Sequence, residues 1–112
     1  MTEFLFSYGT LQVEKVQIES FGRLLVGGDD VLENYKLRSL EILDESVLAK
    51  SAERFHPIAV FTGMPEDTIT GKVFEVSMEE ILSADQYEVS DYKRISAPLR
   101  SGKNAWVYVA AK

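Results

Sequence analysis

Ile69-Thr70-Gly71-Lys72-Val73-Phe74-Glu75-Val76-Ser77-Met78-Glu79-Glu80 changes character partway along its length. Ile69, Gly71, Val73 and Glu75 alternate with Thr70, Lys72, Phe74 and Val76, the period of a strand with one buried face. In the last four residues a serine is followed three positions later by a glutamate. This is the reciprocal capping box, in which each side chain satisfies a backbone donor at a helix start. The helix it opens carries Met78, Ile81, Leu82, Asp85 and Tyr87, with Met78, Ile81 and Leu82 expected on its inner side. Strand and short helix therefore lie end to end.

Upstream, Met64-Pro65-Glu66-Asp67 reads as a turn, proline fixing one dihedral. Ile58-Ala59-Val60-Phe61, between Pro57 and Gly63, has the pattern of a buried strand. Asp44 to Phe55 is mixed: Val47, Leu48 and Ala52 line one side of a loop or a helical turn. Tyr35 to Leu43 is a predicted strand, with Leu37, Leu40, Ile42 and Leu43 as its apolar content. Phe21 to Val26 is an apolar-rich run that Gly27-Gly28-Asp29-Asp30 ends as a loop or turn. The spacing of Leu11, Val13, Val16 and Ile18 fits helix and strand equally. Phe4-Leu5-Phe6-Ser7-Tyr8 is a short aromatic strand stopped by Gly9. Downstream, Tyr92 to Ile95 is strand-like. Ser101-Gly102-Lys103-Asn104 forms a hairpin turn before Ala105 to Ala110, where Trp106, Tyr108 and Ala110 alternate with Ala105, Val107 and Val109. Several short strands with one or two short helices predict a mainly β, barrel-like α+β domain built on a mixed sheet, spanning residues 1–112.

Composition narrows the chemistry. The 112 residues include 12 lysines and arginines against 18 aspartates and glutamates, a net charge of −6. No basic field is present to displace counterions, so neither a nucleic acid nor an anionic membrane is an expected partner. Cysteine is absent and histidine occurs once, which excludes a disulfide framework, a thiolate nucleophile and any multi-histidine or cysteine metal site. No apolar run approaches the roughly 20 residues that cross a bilayer, and the first residues lack a secretory signal's pattern, so a cytoplasmic location is expected. Ser7, Ser77 and Ser90 have no histidine at a recognisable spacing, and His56 reads as a loop residue. Chemistry must come from carboxylates, hydroxyls or backbone groups.

Two segments carry such groups. Phe6-Ser7-Tyr8-Gly9-Thr10-Leu11 is a strand ending in a glycine turn, where glycine permits positive φ and close approach of a ligand to backbone amides. By itself this is also what any strand reversal looks like. Ala84-Asp85-Gln86-Tyr87-Glu88-Val89-Ser90-Asp91-Tyr92-Lys93-Arg94 gathers carboxylates and phenols at the end of the capped helix. A carboxylate moved from water toward aromatic rings has a raised pKa and shuttles protons near neutrality. A solvated helix end, with Asp85 or Glu88 paired to Lys93 or Arg94, explains the same residues, and Arg94 is expected to be structural.

In this order, Tyr8-Gly9-Thr10-Leu11, then a helix ending Asp85-x-Tyr87-Glu88, then Tyr92-x-Arg94, the chain resembles the gamma-glutamylcyclotransferase-like family. Gly71 to Val76 and Ala105 to Val109 support the likeness, which extends from Phe4 to Val109. The resemblance implies a small mixed α/β fold around a β-barrel with a cavity. It implies Glu88 as the catalytic carboxylate, and Tyr8, Gly9, Thr10, Leu11 and Tyr92 around the substrate. The implied reaction cyclises a gamma-glutamyl amine or peptide to 5-oxoproline and releases an amine, without metal or organic cofactor. Many members have glycine after the catalytic glutamate, whereas this chain has Val89. A non-catalytic ligand-binding domain of the same fold is the alternative, and a lyase acting on a larger gamma-glutamyl conjugate shares the chemistry. The sequence fixes neither the substrate nor the oligomeric state.

Overall fold

The computed structural model describes residues 2–41, 55–86 and 91–111. The strands are β1 (Glu3–Ser7), β2 (Val26–Glu33), β3 (Tyr35–Glu41), β4 (Phe55–Phe61), β5 (Thr68–Val76), β6 (Tyr92–Pro98) and β7 (Asn104–Ala110). The helices are α1 (Glu14–Phe21) and α2 (Met78–Asp85), and a 3₁₀ turn covers Thr10–Gln12. The loop or helical turn expected between Asp44 and Phe55 falls almost wholly outside the described residues, as do Ile42 and Leu43 of the expected third strand.

Five strands form one mixed sheet in the order β2-β5-β1-β7-β6, and β3 pairs with β4 in a separate two-stranded sheet. β1 and β2 both run antiparallel to β5, so they point the same way and α1 is the crossover between them. β1 is parallel to β7, and β6 antiparallel to β7. β5 and β6 are therefore also parallel in direction, with α2 crossing between them, as parallel strands require. The two strands nearest the chain ends thus occupy the middle of the sheet.

Side-chain alternation sorts the core into two layers. Phe6, Leu32, Val73, Val107 and Val109 pack on one face with Tyr35 and Ala59 of the neighbouring hairpin. Leu5, Phe74, Val76 and Tyr108 pack on the other against Ile81 and Ala84 of α2. The fold is therefore mainly β α+β, a mixed sheet with the β3–β4 hairpin on one side and two helices on the other. β5 departs from its expected one-sided burial: Ile69 and Val73 are buried, and so are Phe74 and Val76, because helix α2 covers the second face.

The expected barrel is not formed. β2 and β6 remain the sheet edges, and after β2 the chain turns through Asn34 at φ 74° into the hairpin, which lies across a face rather than closing a ring. Among the described residues, an isolated bridge from Leu32 to Leu99 links the two sides. Pro98, which has no amide hydrogen, ends β6 just before it. Asp30 fastens the same junction, accepting from the Ser101 amide at 3.2 Å and from the Ser101 hydroxyl.

Local signals and tertiary outcome part company at several points. Ser77 caps α2 as expected, its hydroxyl accepting from Glu80 N–H at 3.1 Å while the Glu80 carboxylate accepts from Ser77 N–H at 2.9 Å. The inner face of α2 is nevertheless Ile81 and Ala84, and Met78 and Leu82 are exposed. The ambiguous stretch after Leu11 is helical, and its buried residue is Gln17. That amide donates to the Leu11 carbonyl and accepts from Leu25 N–H, both at 2.8 Å, and so holds the loops at either end of α1. Gly27 to Asp30 is strand rather than loop. A Cβ on Gly27 would stand 1.9 Å from the Val73 carbonyl oxygen, so its glycine is what lets β2 lie against β5.

The end of α2 is tied to the sheet through Asp85. Arg94 binds its two carboxylate oxygens at 2.9 and 3.0 Å and lies 4.5 Å from the Trp106 ring centre. The Tyr108 hydroxyl donates to the same carboxylate at 2.6 Å. Hydrogen bonding from Arg94 holds the Asp85 carboxyl below its ordinary range against the opposing effect of burial, with Tyr108 adding to the lowering. A depressed folded-state pKa stabilises the fold above the unfolded value of about 3.9 and is lost as pH falls through the folded one. In urea titrations, Asp85→Asn should lower stability by about 1–2 kcal/mol at pH 7, between an exposed pair and a fully made charged hydrogen bond. The deficit should shrink as pH drops below about 4. A second expected outcome concerns Gly71, where a Cβ would stand 2.3 Å from the Ser7 carbonyl oxygen and 2.8 Å from Phe6 Cζ. Gly71→Ala should cost about 2–3 kcal/mol in the same measurement, since the obstructing atom is backbone.

Candidate active site

A cavity of about 80 Å³ opens where β1 and β7 end and β6 begins. Ser7, Tyr8, Gly9 and Leu11 form one side, at the exit from β1. Tyr92 at the start of β6, His56 and Pro57 of β4, and Tyr108 of β7 supply the rest, with Phe6 at the base. Residues from four strands therefore converge on it.

The walls are held by hydroxyl groups bonding to backbone. Tyr8 donates to the Tyr108 carbonyl oxygen and accepts from Ala59 N–H at 3.1 Å, joining the β4 hairpin to β7. Tyr92 donates to the Pro57 carbonyl at 2.7 Å. Aromatic side chains suit this position because the ring fills the gap between layers and the polar tip finds a partner at its far side.

The turn after Tyr8 differs from its sequence reading. Gly9 is not among the residues with positive φ, and a Cβ there would meet only Pro57 Cγ, at 3.8 Å. Its N–H donates to Ser7 Oγ at 3.3 Å, and its carbonyl accepts from Gln12 N–H at 3.2 Å. Glycine at this point keeps the backbone bare at the cavity rather than relieving strain.

Of the residues singled out from sequence, Tyr8, Gly9, Leu11 and Tyr92 line one cavity. Thr10 belongs to the adjoining 3₁₀ turn. Glu88 and Val89 lie outside the described residues. Arg94 is paired with Asp85 away from the cavity lining. Sequence reasoning missed His56, Pro57 and Tyr108. With nothing nearby that resembles a triad, His56 reads from sequence as a loop histidine, yet His56 and Pro57 sit in β4 opposite Leu40 and Ser39. Their strand faces the site only through the sheet-to-sheet packing. Tyr108 was indistinguishable from its alternating neighbours. Among the described residues no group of three or more potential metal ligands is clustered, and no helix is long and apolar enough to cross a membrane.

Comparison with known proteins gives this architecture a family. The family described as "Gamma-glutamyl cyclotransferase, AIG2-like" matches residues 5–112. No curated protein sequence is significantly similar to the chain. A solution structure from Arabidopsis thaliana is similar at 22% identity and a TM-score of 0.76, covering 98% of this chain and 62% of its own. An uncharacterized Pyrococcus horikoshii protein is similar at 18% identity and a TM-score of 0.67, covering 98% of this chain and 79% of its own. A solved gamma-glutamyl cyclotransferase matches at 14% identity and a TM-score of 0.72, over 100% of this chain and 68% of its own. The chain thus spans less than two thirds of the Arabidopsis relative's length, and identities this low establish the shared fold. With the family matched from Leu5 to the last residue, the chain belongs to the AIG2-like gamma-glutamyl cyclotransferase family.

Proposed function

We propose that the protein is a gamma-glutamyl cyclotransferase that converts a gamma-glutamyl amine or peptide to 5-oxoproline and an amine. The observation that carries this reading is the convergence of Tyr8, Gly9 and Leu11 with Tyr92 on one cavity. These belong to the two segments whose order underlies the family likeness, and they meet on either side of β7. The cavity's size adds to it. About 80 Å³ fits an end group, far less than the ~300–1,000 Å³ that encloses a whole drug-sized ligand, so the leaving amine would extend outside.

The reaction asks little of the protein. The substrate's α-amine attacks its own γ-carbonyl carbon, a five-membered lactam closes, and the bond to the departing nitrogen breaks. Nucleophile and electrophile are already tethered, so most of the orientational entropy is lost before binding. At neutral pH the α-amine is an ammonium and cannot attack until it loses a proton. Glu88 is proposed to accept that proton and to return one to the leaving nitrogen, which departs poorly as an anion. The backbone of the Gly9–Leu11 turn is proposed to hold the substrate carboxylate or the tetrahedral oxyanion, where each such donor is worth about 10²–10³ in rate. Tyr92 and Tyr8 form the substrate-facing wall.

Val89, where many relatives have glycine, favours one other reading, a ligand-binding domain of the same fold without turnover. Incubation with a panel of gamma-glutamyl amides and detection of 5-oxoproline separates the two. Binding without product supports the second. Glu88→Gln keeps volume and hydrogen bonding but cannot take the proton, so product formation should fall by about 10² or more while binding falls less. Its melting temperature should stay near that of the unaltered chain, because Arg94 already has Asp85 as a bidentate partner. An active Glu88→Gln protein would remove Glu88 from the mechanism.

A further inference from the structure

Helix α2 ends without a local stop. Its last turn has no basic residue, and Gln86 caps it in the right-handed helical conformation, so no left-handed glycine turns the chain away. What fixes the helix end comes from farther along the chain. Arg94 holds both carboxylate oxygens of Asp85 at 2.9 and 3.0 Å, and the Tyr108 hydroxyl donates to the same group at 2.6 Å. Beyond Glu88 the chain is pinned again, the Asp91 carbonyl accepting from Ala111 N–H at 2.8 Å and Tyr92 pairing with Ala110. Both ends of the span that carries Glu88 are thus anchored on the stretch from Tyr108 to Ala111. Tyr108 and Tyr92 also line the cavity. The first turn of α2 carries a pair of the same chemistry, Arg23 gripping Glu80 at 2.9 and 2.7 Å. That pair borders a groove that shares no residue with the cavity.

We propose that Asp85 and Arg94 are positioning residues, a clamp that sets where Glu88 is presented to the cavity. The proposal rests on the cyclotransferase reading for the role of Glu88, whereas the clamp itself requires no chemistry. Neither Asp85 nor Arg94 lines the cavity, so both act through the span between them. Asp85 precedes Glu88 by three positions and Arg94 follows it by six. Arginine suits this task geometrically. Its planar fork meets both oxygens at once while the guanidinium lies 4.5 Å from the Trp106 ring centre, which fixes the helix end in distance and direction. A lysine ammonium keeps the charge but has neither the fork nor the flat face. A misplacement of about 1 Å can cost ~10²-fold in rate. Loss of the clamp therefore acts on turnover, while the cavity walls go on holding substrate.

Arg94→Lys tests this, with Arg23→Lys as the matched control for losing a bidentate pair of α2. Amide hydrogen exchange is measured on the whole chain in each. In Arg94→Lys the amides of residues 87–90 should exchange about tenfold faster, the effect of one charged hydrogen bond lost from a local opening. Those of β1 and β7 should be unchanged, and Arg23→Lys should leave residues 87–90 as they are. With gamma-glutamyl amides as substrates, Arg94→Lys should lower kcat about tenfold and keep KM within about twofold. Unchanged exchange at 87–90, or an equal change in Arg23→Lys, overturns the clamp. Loss of protection throughout β1 and β7 also overturns it, since that marks a pair that only supports the fold. If Arg94→Lys does not fold, Asp85→Asn is read in the same way. A chain that forms no 5-oxoproline, yet loosens at 87–90 in Arg94→Lys alone, keeps the clamp and loses the cyclotransferase reading. A chain that forms it, with kcat the same in Arg94→Lys, keeps the reading and loses the clamp.

Discussion

The hydroxyl of Tyr8 joins two layers that share no strand pairing among the described residues. It receives the Ala59 amide from the hairpin and gives its proton to the Tyr108 carbonyl of the central sheet, residues 51 and 100 positions away in the chain. Both partners are backbone, so the link fixes the layers themselves rather than two side chains. Tyr92 makes a second link of the same kind to the Pro57 carbonyl. Between those two phenols lies the cavity. Aliphatic side chains would close such a gap by packing, but a ring with a polar tip spans it and needs an acceptor beyond, which holds the walls apart. Layer cohesion and site geometry thus depend on the same bonds.

Tyr108 extends this coupling to the helical side. Its carbonyl accepts from Tyr8, while its own hydroxyl donates to Asp85 at the end of α2. Arg94 closes the arrangement by binding Asp85 and lying over Trp106, and the Trp106 indole N–H reaches Glu3 at 3.0 Å. One residue of β7 therefore reaches the hairpin layer through its carbonyl by way of the Tyr8 hydroxyl, and the helix layer through its side chain. A buried polar network of this kind is stabilising only while every member is satisfied. Among the described residues no buried side-chain polar atom lacks a partner.

Helices on one face and a hairpin on the other follow from the two crossovers. Each joins strands that point the same way, β1 to β2 and β5 to β6, and so needs a helix to return the chain. The hairpin is left to cover the opposite face, and because it packs across the sheet rather than pairing with its edges, the sheet stays open. The cavity sits beside the central pair β1 and β7, where a strand end, a turn and the hairpin meet.

What the sequence by itself determined is whatever depends on neighbours within a few residues. The Ser77–Glu80 capping box, the turns at Met64–Asp67 and Ser101–Asn104, and the alternation in β7 were legible because their physics is local. The order of Tyr8-Gly9-Thr10-Leu11 and Asp85-x-Tyr87-Glu88 was enough to point to the family. Only the tertiary structure decided which faces are inside: Met78 and Leu82 are exposed because α2 turns Ile81 and Ala84 to the sheet, and Gln17 is the buried residue of α1 because two loop backbones need its amide. It also decided that Gly27 to Asp30 is a strand, that the sheet remains open, and that His56, Pro57 and Tyr108 line the cavity. Each of these turns on packing between elements far apart in the chain, and no residue's immediate neighbours carry information about a surface that reaches it only when the layers come together.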